Sequence, residues 1–110
     1  MKITIIVPLY NQAEYLPEAI ESALENHPHE IIVVDDGSTD DSLQIARKYQ
    51  VKVISQVNKG LASARNTIIM NMEGVYLLPL DADDKLLPDA VEKITFKILE
   101  TDADIVAPSF

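Results

Sequence analysis

Hydrophobic residues follow two patterns that alternate along the 110-residue chain. Short continuous runs rich in β-branched residues predict strands at residues 3–7, 30–34, 51–54 and 75–80. Longer segments, in which apolar residues recur at helical spacing, predict helices at about 14–24, 41–49, 61–69 and 88–100. Pro8 is expected to end the first strand because proline cannot donate to a ladder. A fifth strand is expected at 104–107.

This alternation is typical of βαβ units, whose crossovers are right-handed and whose strands lie parallel. We therefore predict an α/β, Rossmann-like fold of three layers, with helices on both faces of a mostly parallel sheet. If the chain reverses direction after the third strand, the strand order is 3-2-1-4 and the switch point lies between the first and fourth strands. Ligands of such sheets bind outside the carboxyl ends of the strands, so we expect a crevice of nucleotide size there.

The fourth predicted strand runs directly into Asp81, Ala82, Asp83 and Asp84. Three carboxylates in four residues repel one another, and a divalent cation would relieve that repulsion. Oxygen ligands of this kind are those that Mg²⁺, Mn²⁺ and Ca²⁺ prefer. The alternative interpretation is a solvated acidic turn in which Asp84 or a neighbour caps the following helix.

The ends of the first two strands carry further polar clusters. After the second strand we expect Asp36 to face a ligand, where it could hydrogen-bond a base or a ribose, while Asp40 or Thr39 caps the next helix. After the first strand, Tyr10 could stack on a base or cover the edge of the sheet. Asn11 could turn the chain or cap the first helix.

Two further groups of residues have weaker signals. Arg65 lies in the predicted third helix, where its guanidinium could pair with a phosphate or a carboxylate, or remain solvated. Lys59 is a lesser candidate of the same kind. His27 and His29 flank a proline away from the predicted crevice and are interpreted as surface residues.

Composition narrows the possible functions. With 9 basic and 18 acidic residues, the net charge of −9 disfavours binding to nucleic acid or to an anionic bilayer. The chain has no cysteine, which removes disulfides and thiolate chemistry and fits a reducing cytoplasm. We expect no signal peptide and no membrane-spanning segment.

Four motifs together resemble the family-2 glycosyltransferases of GT-A fold, and they cover nearly the whole chain. They are Val7-Pro8-Leu9-Tyr10-Asn11, Val33-Val34-Asp35-Asp36-Gly37-Ser38-Thr39-Asp40, Asn58-Lys59-Gly60 with Ala64-Arg65-Asn66, and Leu80-Asp81-Ala82-Asp83-Asp84 with Pro88.

The resemblance implies a nucleoside-diphosphate sugar, with UDP as the expected carrier, bound together with Mg²⁺ or Mn²⁺. Asp36 would hold the base, Arg65 would lie near the base and diphosphate, and Asp81 and Asp83 would form the Asp-x-Asp motif that holds the metal. The metal would also supply the attraction for phosphate that an acidic protein lacks. The implied donor-binding set is Pro8, Tyr10, Asn11, Asp35, Asp36, Arg65, Asp81, Ala82 and Asp83.

The resemblance also implies what the chain lacks. The family transfers the sugar with inversion to an acceptor hydroxyl, using a general base from the C-terminal half of the domain. We therefore expect residues 1–110 to be the nucleotide-sugar-binding region, with no catalytic residue of its own and with a glycan or lipid-linked acceptor bound by the absent half. An exposed sheet edge after 104–107 could pair with a second copy. The expected setting is polysaccharide or cell-envelope glycan synthesis in the cytoplasm, with a peripheral position at the inner membrane face as an alternative.

Three other functions were weighed. A phosphohydrolase with Asp81 and Asp83 as its nucleophile pair leaves the other motifs unexplained. A nicotinamide-binding domain requires Gly-x-Gly-x-x-Gly after the first strand, which the chain does not have. A non-catalytic interaction module that keeps the fold would bind a partner protein but would show no metal-dependent affinity for nucleotides.

Overall fold

The computed structural model describes residues 2–57, 63, 66, 70 and 76–101, with side chains as far as residue 95. Four strands are present in these residues: β1 (Ile3–Leu9), β2 (Glu30–Asp36), β3 (Lys52–Gln56) and β4 (Tyr76–Pro79). Three helices connect or follow them: α1 (Leu16–Glu25), α2 (Ser42–Ala46) and α3 (Ala90–Thr101).

The strands form one parallel sheet in the order β3-β2-β1-β4, as predicted. The register aligns Val7 with Val33, and Val33 with Val53. Ile5 and Ile6 are neighbours that point to opposite faces, yet they are only 0% and 4% exposed. Burial on both faces explains why the central strands are continuous apolar runs and do not alternate. The switch point lies between β1 and β4, where the sequence placed it.

The main core lies between one face of the sheet and the three described helices. On that face β1 contributes Ile5 and Val7, and α1 contributes a buried stripe consisting of Leu16, Ala19, Ile20 and Ala23. Pro17 is tolerated because it occupies the first turn, where its missing N–H has no helical partner. A smaller cluster of Ile6, Ile32 and Val34 is buried on the opposite face. The helix expected at 61–69 lies outside the described residues, apart from Ser63 and Asn66, which are helical.

The prediction that Pro8 ends the first strand is wrong, since β1 continues to Leu9. The carbonyl of Ile6 accepts the N–H of Leu80 at 2.8 Å, so the nitrogen of Pro8, two residues later, faces the same side of β1. The ladder with β4 has already ended there, at the Ile6–Pro79 pair, whereas pairing with β2 continues to Leu9 and Asp35. Proline thus stops one ladder without stopping the strand.

Other boundaries differ by a few residues. The second and third strands extend to Asp36 and Gln56 because they keep their mutual pairing beyond the apolar run. Helix α2 is shorter than predicted, and the chain continues from Ala46 to Tyr49 in hydrogen-bonded turns. The strand expected at 104–107 lies outside the described residues.

Candidate functional site

Three loops meet at the carboxyl edge of the sheet because β1, β2 and β4 are parallel and adjacent. They are residues 10–15 after β1, 37–41 after β2 and 80–89 after β4. The sequence predicted this convergence. The first two loops are joined by side-chain hydrogen bonds, whereas the third carries exposed carboxylates.

Asn11 joins the first two loops. Its backbone has a φ of 49°, a left-handed conformation that asparagine tolerates better than most residues, so it turns the chain sharply after β1. Its side-chain Oδ1 accepts the backbone N–H groups of Thr39 at 2.8 Å and Asp40 at 3.4 Å. Its own N–H donates to Ser38 Oγ at 2.9 Å. Of the two roles considered for Asn11, the structure shows the turn and no cap on α1, whose N-cap residue is Tyr15.

Asp40 and Ser42 extend these contacts, and the set of hydrogen bonds that Asn11, Asp40 and Ser42 make between the two loops is here called the Asn11 clasp. Asp40 Oδ2 accepts the N–H of Ala13 at 3.2 Å, and Oδ1 accepts the N–H of Ser42 at 2.9 Å. The buried Ser42 hydroxyl in turn accepts the N–H of Gln12 at 3.0 Å. Hydrogen bonding from the Ser42 side chain, assisted by backbone N–H groups and opposed by partial desolvation, lowers the pKa of Asp40 from its usual 3.8. The N-cap residue of α2 is Asp41, which makes no side-chain cap hydrogen bond, so the prediction that Asp40 or Thr39 is the cap is wrong. Asp40 instead accepts the N–H of Ser42 from one position further upstream, and the N–H of Thr39 donates to Asn11.

Asp35 and Asp36 point to opposite faces of the sheet because they are consecutive in β2. Asp35 is 1% exposed, and its Oδ2 accepts the N–H of Ser38 at 3.3 Å. Its buried Oδ1 has no hydrogen-bond partner among the described residues. Asp36 is half-buried, and its Oδ1 accepts a hydrogen bond from Gln56 Nε2 at 3.0 Å. After them Gly37 adopts a φ of 79°, a conformation that glycine takes without steric cost.

Gln56 is a residue of the site edge that sequence reasoning missed. It pairs with Asp36 in the register between β2 and β3, so the two side chains lie side by side on one face. The predicted third strand ended at residue 54 and excluded it. Continuing the strand in register with the two aspartates would have found it. Tyr10, in contrast, was anticipated, and its ring is 49% exposed at the same edge.

The third loop carries the acidic cluster, defined here as Asp81, Asp83 and Asp84. After the last ladder bond the chain turns, with the N–H of Asp84 donating to the carbonyl of Asp81 at 3.0 Å. Ala82 points inward and is buried, while the three carboxylates are exposed. One carboxylate oxygen from each lies within 4.8 Å of the others. Asp84, which the sequence treated only as a neighbour, thus joins the cluster.

The donor set of the acidic cluster fits a small divalent cation. Adjacent ligands at about 2.1 Å from an octahedrally coordinated ion are about 3.0 Å apart, so the three oxygens, which lie within 4.8 Å of one another, would have to approach by up to about 1.8 Å to share one ion. Carboxylates are the hard ligands that Mg²⁺ and Mn²⁺ prefer. Exposed acidic groups also occur without an ion, so the geometry permits a metal and does not by itself require one.

Two buried polar side chains, one in α1 and one at its C-cap, hold the chain that follows the acidic cluster. The Ser22 hydroxyl accepts the N–H of Leu86 at 2.9 Å. Asn26 donates from Nδ2 to the carbonyl of Leu87 at 3.0 Å and accepts the N–H of Val91 at 2.9 Å. Helix α3 begins at Ala90, six residues after Asp84, so Asp84 is too far upstream to be its cap, and the N–H of Val91 in its first turn is accepted by Asn26. The sequence signal was the pair of polar residues four apart within an apolar stripe.

The remaining predicted residues lie elsewhere. Arg65, Lys59 and the rest of the third motif lie outside the described residues, except that Asn66 is helical and exposed. His27 and His29 are exposed at the opposite end of the sheet, beside an open pocket of about 260 Å³. Within the part of the chain that the structure describes, no helix combines the length and the apolar character needed to cross a bilayer.

Comparison with known proteins identifies relatives along the whole chain. The family model described as Glycosyl transferase family 2 matches residues 4–110. Glycosyltransferase GlyA of Streptococcus pneumoniae is 40% identical over 99% of this chain, and chondroitin synthase of Escherichia coli is 43% identical over 82% of it. The chain spans only 17% and 14% of those two proteins.

Solved structures agree with the observed fold. TarS of S. aureus, determined in complex with UDP-GlcNAc, matches with a TM-score of 0.84 and 33% identity over 93% of this chain and 32% of the TarS chain. Glucosyl-3-phosphoglycerate synthase of Mycobacterium tuberculosis, at 22% identity and a TM-score of 0.69 over 88% of this chain and 38% of its own, shares the fold. The predicted Rossmann-like GT-A arrangement is thereby confirmed, and this chain belongs to glycosyl transferase family 2.

Proposed function

We propose that residues 1–110 form the donor-binding region of a glycosyltransferase that uses a UDP-sugar with a divalent metal. The observation that carries this proposal is the meeting of three strand ends and their loops at the carboxyl edge of a parallel sheet, where Tyr10 follows β1, Asp36 ends β2 and the acidic cluster follows β4. The similarity to a TarS structure that holds UDP-GlcNAc supports the same ligand class.

The β1 and β2 loops would bind the nucleoside. The Asp36 carboxylate lies at the end of β2, where it can accept hydrogen bonds from a base imide or from ribose hydroxyls. The exposed ring of Tyr10 can cover the base, and the backbone from Pro8 onward can line the pocket. Asn11 and the buried Asp35 would act on this pocket indirectly, by holding the two loops in place.

The β4 loop would bind the diphosphate end. Asp81 and Asp83 would hold Mg²⁺ or Mn²⁺, with Asp84 near enough to assist and with Ala82 providing a small buried step between them. When bound, the cation supplies neutralisation of the charge that develops on the leaving nucleoside diphosphate. Arg65 is proposed as a second cationic partner for the diphosphate.

The proposed reaction is transfer with inversion. An acceptor hydroxyl forms a bond to the anomeric carbon, the bond from that carbon to the diphosphate oxygen breaks, and the diphosphate leaves with the electron pair. The hydroxyl proton passes to a general base that we place beyond these 110 residues, together with the site for a glycan or lipid-linked acceptor. The similarity to chondroitin synthase supports a role in polysaccharide synthesis, which we place in the cytoplasm.

Calorimetric titration of UDP, GDP and TDP into the purified chain, first with Mn²⁺ and then with a chelator, tests the proposal. UDP is expected to bind most tightly and to lose most of its affinity with the metal. Asp83→Ala should abolish the metal-dependent part. Asp36→Ala should weaken UDP binding about tenfold or more with or without Mn²⁺, because a charge-assisted hydrogen bond to the nucleoside is lost.

Glu25→Gln is the matched control, since it removes one exposed negative charge at the far end of α1. It should leave the affinity for UDP unchanged, both with Mn²⁺ and with the chelator. Equal binding of all three nucleotides, or retention of metal dependence in Asp83→Ala, would contradict the assignment. If folded chain binds no nucleotide under any condition, the interaction-module function takes its place.

A further inference from the structure

The three carboxylates of the acidic cluster repel one another, so the backbone that carries them must be restrained. These exposed carboxylates converge to within 4.8 Å of one another. Within residues 81–84 there is one backbone hydrogen bond, from the N–H of Asp84 to the carbonyl of Asp81. The restraint must therefore come from neighbouring structure.

On the upstream side, the last ladder bond between Leu80 and Ile6 fixes the entry to the cluster. On the downstream side, the chain from residue 85 to 91, here called the strap, is fixed by α1. Three backbone groups of the strap are bonded by two side chains: the N–H of Leu86 by Ser22, and the carbonyl of Leu87 and the N–H of Val91 by Asn26. The buried side chain of Leu86 adds an apolar anchor.

Asn26 is chemically matched to this task. Its Nδ2 donates both to the carbonyl of Ser22 at 2.9 Å and to that of Leu87 at 3.0 Å, while Oδ1 accepts the N–H of Val91. A carboxylate could not donate those two bonds, and an apolar side chain could make none of the three. Ser22 and Asn26 are only 8% and 9% exposed, so leucine or alanine would pack there more cheaply if burial were their only role.

We propose that Ser22 and Asn26 are positioning residues for the metal site. They hold the strap so that Asp81, Asp83 and Asp84 keep a spacing from which a divalent cation can draw them together. They touch neither cation nor nucleotide, and act through the backbone of the strap. This inference rests on the proposed function, because it assumes that the acidic cluster binds a metal.

Electron paramagnetic resonance of Mn²⁺ titrated into the chain, alone and with UDP, tests the inference. Asn26→Leu keeps the branched shape of the side chain but removes all three bonds, and should weaken Mn²⁺ binding about tenfold, as loss of groups that orient metal ligands commonly does. It should also change the lineshape of the bound Mn²⁺, which reports ligand geometry. Ser22→Ala removes one bond to the strap, together with the bond from its hydroxyl to the Ala19 carbonyl within α1, and should show a smaller change in the same direction. If Asn26→Leu does not fold, Ser22→Ala still tests the inference.

Thr4→Val is the matched control for lost stability. Thr4 is fully buried and donates to Glu30 Oε1 at 2.6 Å, at the opposite end of the sheet. All variants are measured well below their thermal midpoints. Thr4→Val should keep the Mn²⁺ affinity and lineshape of the unaltered chain despite its lower midpoint.

The outcomes are distinct. Wild-type affinity and lineshape in folded Asn26→Leu and Ser22→Ala would overturn the positioning role while leaving the proposed function intact. An equal loss in Thr4→Val would also overturn it, because general destabilisation would then be the cause. If the unaltered chain binds no Mn²⁺ with or without UDP, the metal site itself fails and both proposals fail with it.

Discussion

The two sides of the candidate site are built on opposite principles. On the nucleoside side, the loops after β1 and β2 bond to each other directly, through Asn11, Asp40 and Ser42. On the acidic side, the carboxylates are exposed and crowded, and the restraints come from buried groups of α1 behind the loop. The first surface is preorganised by hydrogen bonds among its own residues. In the second, like charges are held close together, and a bound cation would neutralise their repulsion.

This difference has an energetic meaning. Polar groups of the clasp satisfy one another, so removing one of them should cost stability. Carboxylates of the acidic cluster oppose one another, so removing one of them should cost binding and not stability. Without metal, substitutions in the Asn11 clasp are therefore expected to lower the free energy of unfolding, and substitutions in the acidic cluster to raise it.

The largest effect on stability is expected from Asn11→Ala. The change removes the acceptor for two N–H groups. It also leaves alanine at a φ of 49°, a left-handed conformation that alanine tolerates less well than asparagine because it has no side chain that can hydrogen-bond locally. Together these should lower the free energy of unfolding by about 2 kcal/mol. Urea denaturation followed by circular dichroism measures it.

Asn11→Gly separates the two contributions, because glycine takes the left-handed conformation freely but has no side-chain acceptor. It should recover about 1 kcal/mol of the loss. Equal stability of the glycine and alanine variants would show that the backbone conformation contributes nothing.

A smaller effect of opposite sign is expected from Asp83→Asn on the other side. Relief of repulsion in the acidic cluster should raise the metal-free thermal midpoint by roughly 2 °C. Mn²⁺ should then stabilise the unaltered chain more than the variant, because the variant has lost a ligand. Calorimetry with chelator and with Mn²⁺ gives both values, and a lower midpoint without metal would refute the repulsion argument.

The smallest expected effect concerns pH. Folding lowers the pKa of Asp40, so the unfolded chain binds this proton more readily. The stabilisation is complete at pH values well above 3.8 and is lost as the pH falls below 3.8 through the folded-state pKa. Asp40→Asn should therefore make the acid limb of the stability curve shallower.

Urea unfolding at a series of pH values on both sides of 3.8 measures this limb. Asp41→Asn is a suitable control, because Asp41 is also exposed and makes no side-chain cap on α2. An unchanged slope in Asp40→Asn would show that its hydrogen bonds do not persist in solution.

Much of the fold was predictable because parallel sheets leave a strong trace in sequence. Strands such as β1 and β2 are apolar on both faces, and the acids after β4 mark the carboxyl edge of the sheet, where parallel sheets usually bind ligands. The order 3-2-1-4 followed from the usual handedness and reversal of such sheets. The prediction that Pro8 ends β1 was wrong because it depended on which neighbouring strand the proline nitrogen faces. That nitrogen lies beyond the β4 ladder.

Long-range polar contacts were equally hidden. Nothing near Val91 in sequence indicates that Asn26 accepts its N–H, because the two residues meet only after α1 and α3 pack. The link between Gln56 and Asp36 likewise depends on register between strands. Sequence patterns report burial and local turns, whereas these contacts are properties of the assembled sheet.

The central position of β1 also sets an order of assembly during synthesis. Ile5 pairs with Ile31 on one side and with Leu78 on the other, so its two neighbours leave the ribosome at very different times. A nascent chain that has reached Gln56 already contains β1, β2, β3 and the Asn11 clasp, but the flank of β1 that receives β4 is still bare. All residues of the Asn11 clasp are thus translated before the first acid of the cluster, and an unpaired flank of this kind is an edge at which two unfinished chains can pair.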